Sequence, residues 1–194
     1  MTDPTCISEF DPQSWDRIKL VLLDRDGVIN HDSEAYIKGP EEWQPFPQSL
    51  KAIADLQAHT VVAVCTNQSG LGRGLFDHNS LSNIHVKFEQ ALRAAGGAPV
   101  NIYFCPHTPE ENYNCRKPAP GLLQTAMQDL SATPEQTLFV GDSPRDLQAA
   151  QACGCQPILV KTGNGLRTLE DYSLPVPVFE DLATFAATLI RRRG

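Results

Sequence analysis

Nowhere in the 194 residues does an apolar run approach the roughly 18–20 residues that a membrane-spanning helix needs. Basic residues are outnumbered. Sixteen Lys and Arg face 23 Asp and Glu, a formal net charge of −7, which favours solubility and argues against a nucleic-acid-binding surface. The one basic cluster, Arg191-Arg192-Arg193, falls where a closing helix should end and suits that helix's dipole. Internal repeats, low-complexity tracts and interdomain linkers are also missing, so one domain is the default for this length. The six cysteines (Cys6, Cys65, Cys105, Cys115, Cys153 and Cys155) suggest no disulfide framework in a chain that is 41% apolar. A reducing cytoplasm is the expected setting. Residues 1–17 contain Asp3, Glu9, Asp11 and Asp16, so they do not read as a secretory signal. They are expected to be a poorly ordered N-terminal extension to a domain over 18–194.

What is present is organised around residues 18–30, I-K-L-V-L-L-D-R-D-G-V-I-N. The aliphatic run Leu20-Val21-Leu22-Leu23 predicts a strand buried on both faces, as in a parallel sheet. It ends in Asp24-Arg25-Asp26-Gly27. Strand side chains repeat every two residues, so Asp24 and Asp26 should point the same way, and a hard cation would relieve their repulsion. Alone, D-x-D-G is also a common acidic turn. Downstream, further strands are predicted at 60–66, 99–104, 137–140, 157–160 and 176–179. Helices are predicted at 48–57, 79–95, 121–130, 144–152 and 181–192. The alternation predicts an α/β fold, a Rossmann-like parallel sheet with helices on both faces. Ligands of such sheets bind beyond the strands' carboxyl ends.

Four elements fall at or near those ends: Asp24 with Asp26, Thr66 with Asn67, Lys117, and Asp142. Each residue has a dull reading by itself: turn, cap or surface charge. Together they match the needs of phosphoryl transfer. A carboxylate attacks phosphorus, a second acid moves the proton, a hydroxyl and a Lys hold phosphoryl oxygens, and a third carboxylate completes a Mg²⁺ site.

The motifs D-R-D-G-V-I-N (24–30), T-N-Q-S-G (66–70), R-K-P (116–118) and G-D-S-P-R-D (141–146) resemble, in order, the four motifs of the haloacid dehalogenase superfamily. D-S-E-A-Y-I-K (32–38), N-Q-S-G-L-G-R-G (67–74) and the C-P-H…C-R-K-P segment (105–118) narrow the resemblance to heptose 1,7-bisphosphate phosphatases and the related histidinol-phosphate phosphatases. The resemblance implies a compact sheet without a large cap. It implies a Mg²⁺-dependent phosphomonoesterase that removes the C7 phosphate of a heptose bisphosphate; histidinol phosphate is the alternative substrate. Asp24 would be the nucleophile and Asp26 the acid/base. Thr66 and Lys117 would stabilise the phosphoryl group. Asp24, Asp26 through its backbone carbonyl, and Asp142 would bind Mg²⁺. Arg25, Asp32, Tyr36, Asn67, Gln68, Ser69, Arg116 and Ser143 would touch the phosphosugar; Ser143 stands where some relatives have Lys. A monomer with no nucleic-acid or membrane partner is expected. A phospho-accepting receiver module shares the acidic pocket, Thr and Lys, but lacks an acid two residues after its phosphorylated Asp, so Asp26 favours an enzyme.

Cys105, His107 and Cys115 suggest a structural Zn²⁺ loop. The family pattern is C-x-H followed by C-x-C, and here Tyr113 occupies the third ligand position. A closed structural site needs four N or S ligands. Three leave it open, with Glu110 or Glu111 as the remaining oxygen donors.

Overall fold

The protein is described by a computed structural model over residues 12–171 and 175–193. Residues 1–11 of the expected extension lie outside the described residues. Among those described, six strands form one sheet in the order β3-β2-β1-β4-β5-β6, with every pairing parallel. The strands are β1 (Leu20–Leu23), β2 (Val61–Asn67), β3 (Asn101–Cys105), β4 (Thr137–Gly141), β5 (Gln156–Val160) and β6 (Val178–Phe179). The helices are α1 (Pro47–Gln57), α2 (Ser69–Gly72), α3 (His78–Ala94), α4 (Gly121–Asp129), α5 (Pro144–Cys153), α6 (Gly165–Asp171) and α7 (Leu182–Arg193).

The aliphatic run at 20–23 becomes the sheet's central strand because it can be buried on both sides. Val21 and Leu23 join the larger core with Ile53, Phe88 and Phe185, from α1, α3 and α7. Leu20 and Leu22 join the smaller core with Leu123, Ala126 and Ala150, from α4 and α5. All four are fully buried, each contributing about 1.5–3 kcal/mol relative to exposure.

The helix starts follow their local chemistry. Asp77 caps α3 by accepting from the Ser80 N–H at 2.8 Å. Ser143 and Asp146 form a capping box at α5, whose first residue is Pro144.

Three segments differ from their expected form. Residues 12–17 make a short 3₁₀ helix, with Trp15 buried against Phe179 and Phe185, so this part of the lead-in is packed. Ser69–Gly72 and Gly165–Asp171 are helical where loops were expected. Both are too short to show a periodic apolar stripe in sequence. No helix among the described residues is long and apolar enough to cross a membrane.

Candidate active site

Strand register brings the distant motifs together. Leu23 pairs with Val64 on one side and Val140 on the other. Asp24 follows β1 immediately, and its N–H continues the ladder to Val140 O at 2.9 Å. Thr66 lies near the end of β2, and Asp142 directly follows β4. Lys117 enters from the segment between β3 and α4. These groups, with Asp26 and Asp146, line a cleft of about 310 Å³, at the small end of ligand-binding pockets.

Asp24, Asp142 and Asp146 each offer a carboxylate oxygen within 4.8 Å of the others. Burial first, then the Asp146 charge, pushes Asp24 up to about 7 and Asp142 up to about 8. A cluster of hard oxygens that resists ionisation beside its neighbours fits a Mg²⁺ ion. Asp146 was not among the residues singled out from the sequence, although it closes the G-D-S-P-R-D motif. Both of its oxygens are engaged. Oδ1 lies 2.6 Å from Lys117 Nζ, and Oδ2 accepts from the Ser143 N–H at 3.0 Å and Oγ at 2.6 Å. Lys117 also reaches Asp24 Oδ1 at 2.9 Å. Burial opposes the Lys117 charge, but the two carboxylates outweigh it and hold the ammonium protonated.

The Asp26 carboxylate belongs to a different cluster. Oδ1 accepts from Arg25 Nε and Asn30 Nδ2, both at 2.9 Å. Oδ2 accepts from Arg25 Nη2 at 2.9 Å and Gln68 Nε2 at 3.1 Å. Burial would raise this carboxyl, but the guanidinium and the amide donors hold it below the usual carboxylate range. Gln68 Nε2 also donates to Thr66 Oγ1 at 2.9 Å. The amides expected on substrate line the cleft and also bind protein groups. Asn67 likewise donates to Lys117 O at 3.0 Å and accepts from the Lys117 N–H at 3.2 Å. Arg25, another expected substrate contact, has a side chain only 1% exposed.

Asp142 is supported from the start of α6. Its Oδ2 accepts from Asn164 N at 2.7 Å and Asn164 Nδ2 at 3.2 Å, and its carbonyl accepts from Thr168 Oγ1 at 2.7 Å. Gly27 (φ +85°) and Gly163 (φ +58°) pack directly on it. A Cβ at either would come within 2.2 Å of Asp142 Oδ2, so both glycines are needed for close approach as well as for φ. Asn164 Nδ2 also donates to Asp32 Oδ2 at 3.2 Å, joining Asp32 to Asp142. In sequence Asn164 shows only as a residue between Gly163 and Gly165.

Away from the acids the cleft changes sign. Arg73, Arg116 and Arg145 line it with Tyr36, Asp32, Ser69 and Ser143. Arg116 is 9% exposed, and its Nη1 donates to His107 O at 2.9 Å. Burial and the nearby Arg145 charge pull its pKa down. Arg73 and Arg145 lie inside the motifs at 67–74 and 141–146 but were not singled out as site residues from the sequence. Tyr36 has φ +65°, an uncommon backbone state for a bulky residue.

The Zn²⁺ loop is only partly assembled. The thiols of Cys105 and Cys115 are 3.1 Å apart. The His107 ring instead stacks on Tyr113, with centroids 3.5 Å apart and 9° between planes, and its Nδ1 lies 3.4 Å from Glu111 Oε1. Among the described residues the acidic trio is the one group of three or more such donors that converges. Cys105, His107 and Cys115 do not form such a set.

Comparison with known proteins agrees with the fold and motifs. Residues 114–185 match the family model described as HAD-hydrolase-like. A D-glycero-beta-D-manno-heptose-1,7-bisphosphate 7-phosphatase of Bordetella bronchiseptica is 49% identical over 181 residues, 90% of this chain and 99% of that one. The chain belongs to this family of haloacid dehalogenase-like phosphatases. Another member, from Neisseria meningitidis serogroup A, is 44% identical over 182 residues, 91% of this chain and 97% of the relative. Among solved structures, the D,D-heptose 1,7-bisphosphate phosphatase from B. bronchiseptica, complexed with magnesium and phosphate, has a TM-score of 0.86 at 48% identity, covering 90% of this chain and 99% of its own.

Proposed function

We propose that the protein is a Mg²⁺-dependent phosphomonoesterase that removes the C7 phosphate of D-glycero-β-D-manno-heptose 1,7-bisphosphate through an aspartyl-phosphate. The observation that carries the chemistry is the Lys117 ammonium held between Asp24 and Asp146, with Asp142 beside them. That arrangement fixes one carboxylate next to a permanent cation in a cleft with further arginines. The activity of its relatives supports the substrate, and so do the cleft's arginines, which suit a second phosphate.

Asp24 is the nucleophile. Arg25 N–H and Lys117 Nζ hold its Oδ1 at 2.8 and 2.9 Å, which fixes the carboxylate plane and leaves the other oxygen to attack. As that oxygen bonds to phosphorus, the bond from phosphorus to the C7 oxygen breaks, and Asp26 gives that oxygen a proton. A water then attacks the phosphoenzyme, Asp26 takes its proton, and phosphate leaves. The donors around Asp26 favour its ionised form, which suits the second half. Lys117 and Thr66 hold phosphoryl oxygens, and Asp146 aims Lys117. Asp24, Asp142 and the Asp26 carbonyl would hold Mg²⁺, which when bound neutralises phosphoryl charge.

Phosphate release from both anomers of the heptose bisphosphate and from histidinol phosphate tests the assignment. The β-anomer is expected to give the highest kcat/KM. A clear preference for histidinol phosphate would overturn the sugar assignment. Stoichiometric labelling without turnover would overturn the enzyme assignment.

A further inference from the structure

We infer that Arg25 is a positioning residue for proton transfer: its guanidinium clamps both oxygens of Asp26, and Gln68 ties that clamp to Thr66. The inference rests on the reading of Asp26 as the acid/base and goes beyond it by naming what aims that carboxylate.

The geometry is a two-point hold. Arg25 Nε and Nη2 each lie 2.9 Å from a different oxygen of Asp26. A planar fork of this kind fixes both the position and the plane of a carboxylate, which an ammonium cannot do. Nη2 also donates to Gln68 Oε1 at 3.2 Å, and Gln68 Nε2 bridges Asp26 Oδ2 and Thr66 Oγ1. One amide therefore couples the proton-transfer carboxylate to the hydroxyl that holds phosphoryl oxygens.

Arg25 is among the residues lining the cleft, but its Nε and Nη2 are already taken by Asp26 and Gln68. Its side chain is 1% exposed against 21% for that of Asp26, so it is the more buried partner of the pair. Core packing does not account for the guanidinium. Nη1 is buried and has no hydrogen-bond partner among the described residues, an arrangement that costs folding energy. His85 adds no competing charge, since burial and then Arg25 push it down to about 4. The turn after β1 uses the Arg25 carbonyl, which accepts from the N–H groups of Val28, Ile29 and Asn30. Any residue supplies that carbonyl, so the side chain can be tested separately from the turn.

The test compares two esters on the Mg²⁺-loaded full chain. The alkoxide of the heptose bisphosphate needs a proton to leave as its bond to phosphorus breaks, whereas the phenolate of 4-nitrophenyl phosphate does not. Single-turnover phosphoenzyme formation is measured for wild type, Arg25→Lys, Asp26→Asn and the double variant. Arg25→Lys keeps the charge and removes the fork. It is expected to slow the sugar reaction on the order of 10- to 100-fold, within the range of general acid–base effects. The nitrophenyl reaction should change less than about threefold, and KM on the sugar less than about twofold. The double variant should be no slower than Asp26→Asn, because residues acting as one unit are not additive.

Equal losses on both esters, wild-type rates on both, or additive losses in the double variant would overturn the inference. If Asp26→Asn itself shows no ester selectivity, the acid/base reading falls and the clamp falls with it. If Asp26→Asn is selective and Arg25→Lys is not, the clamp alone falls. Should Arg25→Lys fail to fold, Gln68→Met opens the same clamp from its outer side. It is expected to show the same selectivity at smaller amplitude, and equal losses on both esters would count against the clamp.

Discussion

Lys117 lies closer to Asp146 than to Asp24: Nζ is 2.6 Å from one carboxylate and 2.9 Å from the other. Lys117 is 2% exposed and Asp146 is 1% exposed, so the contact is a buried ion pair that also forms half of the α5 capping box. Removing Asp146 takes from a buried cation the nearer of its two partners and leaves it Asp24 alone. Asp146→Ala is expected to lower unfolding free energy by about 3–5 kcal/mol and to lower kcat by releasing Lys117. Urea denaturation checks the first effect and steady-state kinetics the second. Wild-type stability would show that the pair is not coupled to the fold.

The acidic trio makes stability depend on pH in a direction that can be worked out. Asp24 is pushed up to about 7 and Asp142 up to about 8, by burial and then by Asp146, from 3.8 in the unfolded chain. Between about pH 4 and pH 8 these two groups make the folded chain bind more protons than the unfolded chain. His85, pushed down from 6.5 to about 4, opposes them in the lower part of that window with one proton against two, so stability still falls as pH rises. Asp26, held low, acts below the window. Chelator-treated protein should melt at a lower temperature at pH 8 than at pH 5. Adding Mg²⁺ should raise the midpoint more at pH 8, because the cation replaces protons. A chelated midpoint that is flat or rising from pH 5 to pH 8 would contradict the prediction.

Under the proposed function, Arg116 binds the distal end of the substrate, apart from the chemistry at Asp24. Arg116→Ala should raise KM for the bisphosphate by about 10- to 100-fold, the range of one charge-assisted contact. Turnover of 4-nitrophenyl phosphate, which has no second phosphate, should change little. A matching loss on both esters would place Arg116 in the reaction itself.

Because His107 stacks on Tyr113, protein purified without added metal should carry well under one equivalent of Zn²⁺. Elemental analysis measures this directly. Tyr113→Cys supplies a further thiol and frees the imidazole, so it should raise Zn²⁺ content toward one equivalent. Full Zn²⁺ occupancy in the wild-type chain would show that Cys105, His107 and Cys115 recruit another donor.

The parts of the site that were legible in sequence are those whose chemistry is written in adjacent residues. An aliphatic run ending in Asp24 announces a buried strand with a carboxylate at its tip, and Gly141-Asp142 after a second run does the same. Lys117 was visible because R-K-P follows the third strand. Asp146 was not, because an acid in the first turn of a helix usually serves the helix, as this one also does. The family resemblance implies that Asn67 and Gln68 touch substrate. Both line the cleft, and only the fold shows that they also bind Lys117 and Asp26. Asn164 was hidden because its role depends on Asp142, 22 residues earlier in the chain.

Placing β1 in the middle of the sheet has a consequence for the order in which the protein comes apart. Asp24, Thr66 and Asp142 all sit on or directly after β2, β1 and β4, three of the four inner strands, whereas β6 is a two-residue edge. Edges and loops open at lower free energy than central strands. Amide exchange should therefore be slowest through Leu20–Leu23 and faster in the segments carrying Tyr36, Arg73 and Arg116. Under mild denaturing stress the enzyme would lose discrimination between phosphate esters before it loses the ability to cleave them.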